Sequence, residues 1–161
     1  MSLSAVPFSG RSNALPSILW SGLIAGTLDI TDAFVFFGLR GAKPIRILQS
    51  IASGVLGPAS FQGGWNTAIL GAALHFLIAF GAATVYYAAS RKLQFLTQHA
   101  IVSGLLYGAA IYLFMNRIVL PLSAVAKSSA PTPAVVLVNG VLAVMFCVGL
   151  TISLVVRGYS R

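Results

Sequence analysis

Residues 16–39 read PSILWSGLIAGTLDITDAFVFFGL and form an apolar run long enough to cross a bilayer as one helix. The two acidic residues of the chain, Asp29 and Asp32, both lie inside this run. A carboxylate in the hydrocarbon core costs about 3 kcal/mol on insertion scales, so it normally faces a partner or a wet cavity. This stretch therefore predicts both a membrane-spanning fold and an interior polar site.

The composition of the whole chain agrees with a membrane protein. Of its 161 residues, 58% are hydrophobic and 7% are charged, whereas soluble domains carry about 25% charged residues. We therefore expect no water-soluble core and no separate extramembrane catalytic domain. The net charge of +8 comes from bases scattered between the apolar runs, which is typical of contacts with lipid headgroups and not of a nucleic-acid interface.

Three further runs reach the length that a spanning helix needs, about 20 residues. They are residues 67–87, 101–120 and 134–156. We therefore predict an all-α integral membrane bundle of four transmembrane helices, forming a single domain over residues 16–156. A short polar N-terminal tail (1–15) and a basic C-terminal tail (157–161) flank this domain.

The segment 44–57 differs from the four spans. As a helix it would be about 21 Å long, which is too short to cross the membrane. Its apolar stripe of Leu48, Ile51, Ala52 and Val55 indicates an amphipathic helix. We expect this helix either to lie in the interface or to re-enter between the spans.

Two pairs of glycines have the spacing that lets transmembrane helices approach closely. Gly22 and Gly26 lie in the first run, and Gly104 and Gly108 lie in the third. We favour packing inside one bundle over homodimerisation, because four spans must first pack with each other.

Polar residues of all four spans are expected in the same half of the bilayer. The first and third spans end where the second and fourth begin, so depth can be counted along each helix from one surface. The residues of this polar layer are Asp29, Asp32, His75, Asn116, Arg117 and Asn139.

The polar layer has two interpretations. In the structural one, Arg117 neutralises one aspartate or extends to the headgroups, His75 is a hydrogen-bonded interior histidine, and the two asparagines join helices. In the functional one, Asp29 and Asp32 with His75 handle protons, a cation or a small polar ligand.

The motifs of known catalytic sites are missing from the sequence. It contains no HExxH, GxSxG, P-loop or glycine-rich dinucleotide turn. We therefore expect no enzyme activity, no cofactor and no metal site. The remaining hypotheses are a small transporter-like protein and, as the alternative, a non-catalytic accessory or assembly subunit of a larger membrane complex.

Four segments resemble a family of small bacterial inner-membrane proteins, the uncharacterised YagU-type family. They read GLIAGTLDITDAF, IRILQSIASGVLG, GAALHFLIAFGAATVYY and LLYGAAIYLFMN, and their most distinctive words are LDITD (28–32) and LHF (74–76). The resemblance covers residues 21–123. It implies a four-span protein of the bacterial inner membrane and transfers no activity or functional residue.

Partners and orientation follow from the same reasoning. The expected partners are the lipid bilayer and either other membrane proteins or a second copy of the chain, and not nucleic acid. Basic residues are divided almost evenly between the two faces, so the positive-inside rule gives only a weak preference. The short loop that carries Arg91 and Lys92 favours a cytoplasmic location for both termini.

Overall fold

The computed structural model describes residues 14–126 and 131–160, and this part of the chain contains helices and no strands. Four helices are long and apolar enough to cross a membrane, as the sequence predicts. The helices are α1 (Ala14–Gly38), α2 (Pro44–Leu56), α3 (Gly64–Lys92), α4 (Phe95–Gln98), α5 (Ala100–Leu122) and α6 (Ala134–Tyr159). The predicted all-α bundle is therefore confirmed.

The helices extend beyond the apolar runs from which they were predicted. Helix α3 continues to Lys92, because helical backbone persists into the headgroup region where basic side chains are solvated. Residues 157–159 of the expected C-terminal tail continue α6. Of the two expected tails, residues 1–13 and Arg161 lie outside the described residues.

Helix α1 lies between α3 and α6. It packs against α3 on one side and α6 on the other, while α5 packs mainly against α6 and α2 against α3. The four spans are thus arranged in the order α3, α1, α6, α5. Small residues make this close packing possible, since Ser17, Ser21, Gly22, Ala25 and Gly26 are the buried residues of α1.

Both predicted glycine pairs lie at contacts between helices of this chain, but the atoms that they contact are of different kinds. The surfaces of Gly22 and Gly26 receive the rings of Phe80 and Phe76 from α3. At Gly108, in contrast, the neighbour is main chain: an added Cβ would lie 2.5 Å from Met145 Cα and 2.6 Å from the Val144 carbonyl oxygen. Helices α5 and α6 therefore touch backbone to backbone.

Helix α2 packs on α3, and its buried face shares Ala52 with the predicted apolar stripe. Its buried residues are Ile47, Gln49, Ala52 and Ser53, while Val55 is exposed. Gln49 can be buried because its Nε2 donates to the Gly64 carbonyl at 2.9 Å. A buried amide costs little once it is hydrogen-bonded, so a polar residue can share this packed face, while Leu48 and Ile51 of the apolar stripe are partly buried.

The two longer connections lie on the same side of the bundle. The backbone N–H of Ala124, after α5, donates to the carbonyl of Gly54 in α2 at 2.9 Å. We call this side the α2 side. Helix α4 and the ends of α1 and α6 at Ala14 and Tyr159 lie on the opposite side.

Candidate functional site

Two adjoining cavities lie between the four spans, towards the α2 side. The inner cavity has a volume of about 270 Å³, and all four spans and α2 contribute to its walls. The second, which we call the α2-side cavity, has a volume of about 230 Å³ and reaches Thr132, before the start of α6. The polar residues of the inner cavity are Asp29, His75, Tyr112 and Asn116, and those of the α2-side cavity are Asp29, Asp32, Tyr112, Asn116, Thr132 and Asn139.

Asp29 lies at the junction and lines both cavities. Asp32 follows three residues later on the same face of α1, so it lines the α2-side cavity. Neither carboxylate faces open lipid, as both residues are partly buried. This placement is the one expected for acids that are tolerated inside a bilayer.

His75 joins α3 to α1 beside Asp29. Its Nε2 lies 2.8 Å from the carbonyl oxygen of Gly26. A carbonyl only accepts, so Nε2 carries a hydrogen and donates it, and Nδ1 is the nitrogen left to exchange a proton. Asp29 lies within electrostatic range of both His75 and Asp32.

Asp32 has an amide as its partner. The Nδ2 of Asn139 in α6 donates to Asp32 Oδ2 at 2.9 Å. Asn139 thus makes the kind of interhelical bond expected for it. Among residues 14–126 and 131–160, no ion pair joins Arg117 to Asp29 or Asp32, so the salt bridge that the sequence offered as an alternative is not formed there.

Asn116 and Arg117 are adjacent in sequence, but their side chains point in different directions. Asn116 lines both cavities, and its Nδ2 donates to the Tyr112 carbonyl of its own helix at 2.9 Å, not to another span. Arg117 is exposed and lines neither cavity. Consecutive helical residues point about 100° apart, so the two share a depth without sharing a face.

Two π-helical segments form part of the cavity walls, and sequence reasoning missed both. They are Met115–Val119 in α5 and Val144–Leu150 in α6. Such widened turns are rare and are found frequently at functional sites. The first lies just before Pro121, which has no N–H to donate and whose ring crowds the preceding turn; this proline was the available signal.

The chemistry of the site is that of hydrogen-bond acceptors and proton-exchanging groups. Carboxylate oxygens accept from cations and N–H or O–H donors, and an imidazole both gives and takes protons. Within the part of the chain that the structure describes, no group of three or more His, Cys, Asp or Glu residues is placed to hold a metal ion.

No protein-family model, curated protein or solved structure matches this chain. The resemblance to the YagU-type family therefore stays a prediction.

Proposed function

We propose that the chain is a small transporter of the bacterial inner membrane that takes up a proton or another cation at Asp29. The observation that carries the proposal is the position of Asp29, at the junction of two cavities and without a lysine or arginine partner among the described residues. A carboxylate kept there costs stability unless a ligand or a proton neutralises it.

The shape of the cavities supports a carrier with one closed side. On the α2 side, the second cavity extends past the start of α6 to Thr132, which is exposed. On the opposite side, an apolar core that includes Tyr86, Ile152 and Val156 fills the bundle. Access from one face and closure at the other is the arrangement that alternating access requires.

The partners of the other polar residues support distinct roles for them. Asn139 holds Asp32 between α1 and α6, while the Nε2 of His75 is engaged by Gly26. Asp29 is therefore the residue that we propose binds the proton or cation. His75 and Asp32 adjust its charge, because both lie within electrostatic range.

The test is flux into vesicles that contain the purified protein and an entrapped pH-sensitive dye, under an imposed membrane potential. We expect protons to enter faster than in protein-free vesicles. The rate should decrease about tenfold or more in Asp29→Asn, because the free energy of one lost charge-assisted contact corresponds to a change in rate of that size. Repeating the assay with an entrapped sodium- or potassium-sensitive dye, and that cation outside, identifies the moving cation.

Thr31→Val is the matched control. Thr31 lies between the two aspartates on α1, is exposed, and uses its hydroxyl only towards the Thr27 carbonyl of its own helix. The Thr31→Val variant should transport at the wild-type rate. Flux that Asp29→Asn leaves unchanged would contradict the proposal, and wild-type flux equal to that of empty vesicles would favour the accessory-subunit hypothesis.

A further inference from the structure

A lateral groove separates α3 from α5. It exists because α3 packs on α1 and α2 while α5 packs on α6, so the two helices face each other without close packing along this length. The groove has a volume of about 470 Å³, which is within the usual range for a ligand site. Its mouth is apolar and exposed at Ile78, Val85 and Phe114, so in a membrane it opens to the acyl chains.

Tyrosines close one end of the groove. The hydroxyl of Tyr107 in α5 donates to the Ala82 carbonyl in α3 at 2.7 Å, and the Tyr107 and Tyr86 ring centroids are 5.0 Å apart. These contacts hold α3 and α5 together towards the side opposite α2. The groove therefore leads from the bilayer into the half of the bundle that carries the polar residues.

The groove adjoins the inner cavity. Ile78 and Ala82 of α3 and Ile111 and Met115 of α5 line both spaces. These four apolar side chains form the wall between the lipid-facing groove and the cavity in which Asp29 and His75 lie, so a ligand in the groove needs only to displace them to reach Asp29.

We infer that the ligand of this site is an amphiphilic organic cation, which enters sideways from the bilayer and binds with its ammonium group at Asp29 and its apolar part in the groove. The inference rests on the proposed function and specifies its ligand. Charge complementarity supports it: Asp29, one of the two acids of the chain, lies in the inner cavity next to the groove, and the walls of the groove are apolar. Organic cations reach such a carboxylate without the full desolvation cost that a small ion incurs, because their charge is spread over a larger group.

The test uses two photoreactive probes with the same diazirine-bearing alkyl chain, one ending in trimethylammonium and the other in sulfonate. Each is incorporated into nanodiscs with the intact protein, irradiated, and located by mass spectrometry. We expect the ammonium probe to label the groove near Phe114 and Met115, and an excess of unlabelled alkyltrimethylammonium to compete. Labelling by the ammonium probe should decrease about tenfold in Asp29→Asn, because this variant loses one charge-assisted contact with the probe.

Gly81→Leu provides a second variant that leaves Asp29 in place. Gly81 lines the groove, and an added Cβ there meets nothing within 4 Å, so a leucine adds bulk at the groove without a clash at its Cβ. Gly158→Leu, equally unobstructed but at the end of α6, is its control. We expect Gly81→Leu to abolish competed labelling and Gly158→Leu to leave it unchanged.

The outcomes separate this inference from the proposed function. Equal, uncompeted labelling by both probes would overturn it, since the groove would then hold only acyl chains. Asp29-dependent flux of protons or small cations in the wild type, without competed labelling by the ammonium probe, would also overturn it while the proposed function stands. Flux that does not depend on Asp29 would overturn the proposed function itself.

Discussion

A leucine at position 108 is expected to prevent α5 from packing on α6. Any side chain at Gly108 would enter the main chain of α6 at Val144 and Met145, and a backbone cannot rotate away as a side chain can. Overpacking of this kind costs about 3 kcal/mol or more when helices must separate, which lowers the ratio of folded to unfolded protein roughly a hundredfold. The expected result is loss of the monodisperse bundle.

The measurement is thermal unfolding in mild detergent, together with the monodisperse fraction on size exclusion. Gly158→Leu is the control, because it introduces the same side chain into α6 where nothing lies within 4 Å. It should unfold at or slightly above the wild-type temperature, since leucine favours helix by about 1 kcal/mol over glycine. Equal unfolding temperatures for the two variants would contradict backbone contact between α5 and α6.

The second large effect is expected at Gly71, where α2 docks on α3. An added Cβ would overlap the Leu48 carbonyl oxygen and lie 2.7 Å from its carbon. Gly71→Leu should therefore displace α2. Because Ile51 of α2 forms part of the wall of the inner cavity, the displacement also opens the site.

This prediction is checked by proteolysis and by unfolding. We expect new cleavage within residues 40–63 of Gly71→Leu and a destabilisation of about 1–3 kcal/mol. Gly81→Leu is the matched control, with the same replacement on the same helix at a position that meets nothing within 4 Å. If both variants resist cleavage as the wild type does, α2 does not pack on α3 as described.

The sequence predicts how deep each polar residue lies along its helix. It does not predict the direction in which the side chain points around the helix axis. Counting from the span ends places all six polar residues in the same half of the bilayer, because a helix rises about 1.5 Å per residue. Spans that are apolar all round give no periodicity to show which face points inwards. Asn116 and Arg117 demonstrate the difference, since the first lines both cavities and the second lines neither.

Other parts of the site depend on contacts between distant residues. The partner of Asp32 is Asn139, and the burial of Gln49 depends on the Gly64 carbonyl. The groove between α3 and α5 is a consequence of what each helix packs against elsewhere. None of these can be derived from the local pattern of one segment, whereas the four spans and their approximate limits can.

The most direct test of the central claim, that Asp29 faces a cavity reached from the α2 side, is the reactivity of a cysteine at position 29. The background is Cys147→Ala, which removes the one native thiol. A charged, membrane-impermeant thiol reagent should modify Asp29→Cys roughly tenfold faster than Thr31→Cys. The reason is that a thiol becomes a reactive thiolate, and a charged reagent reaches it, only where water has access. Equal rates at the two positions, or faster reaction at position 31, would contradict the claim.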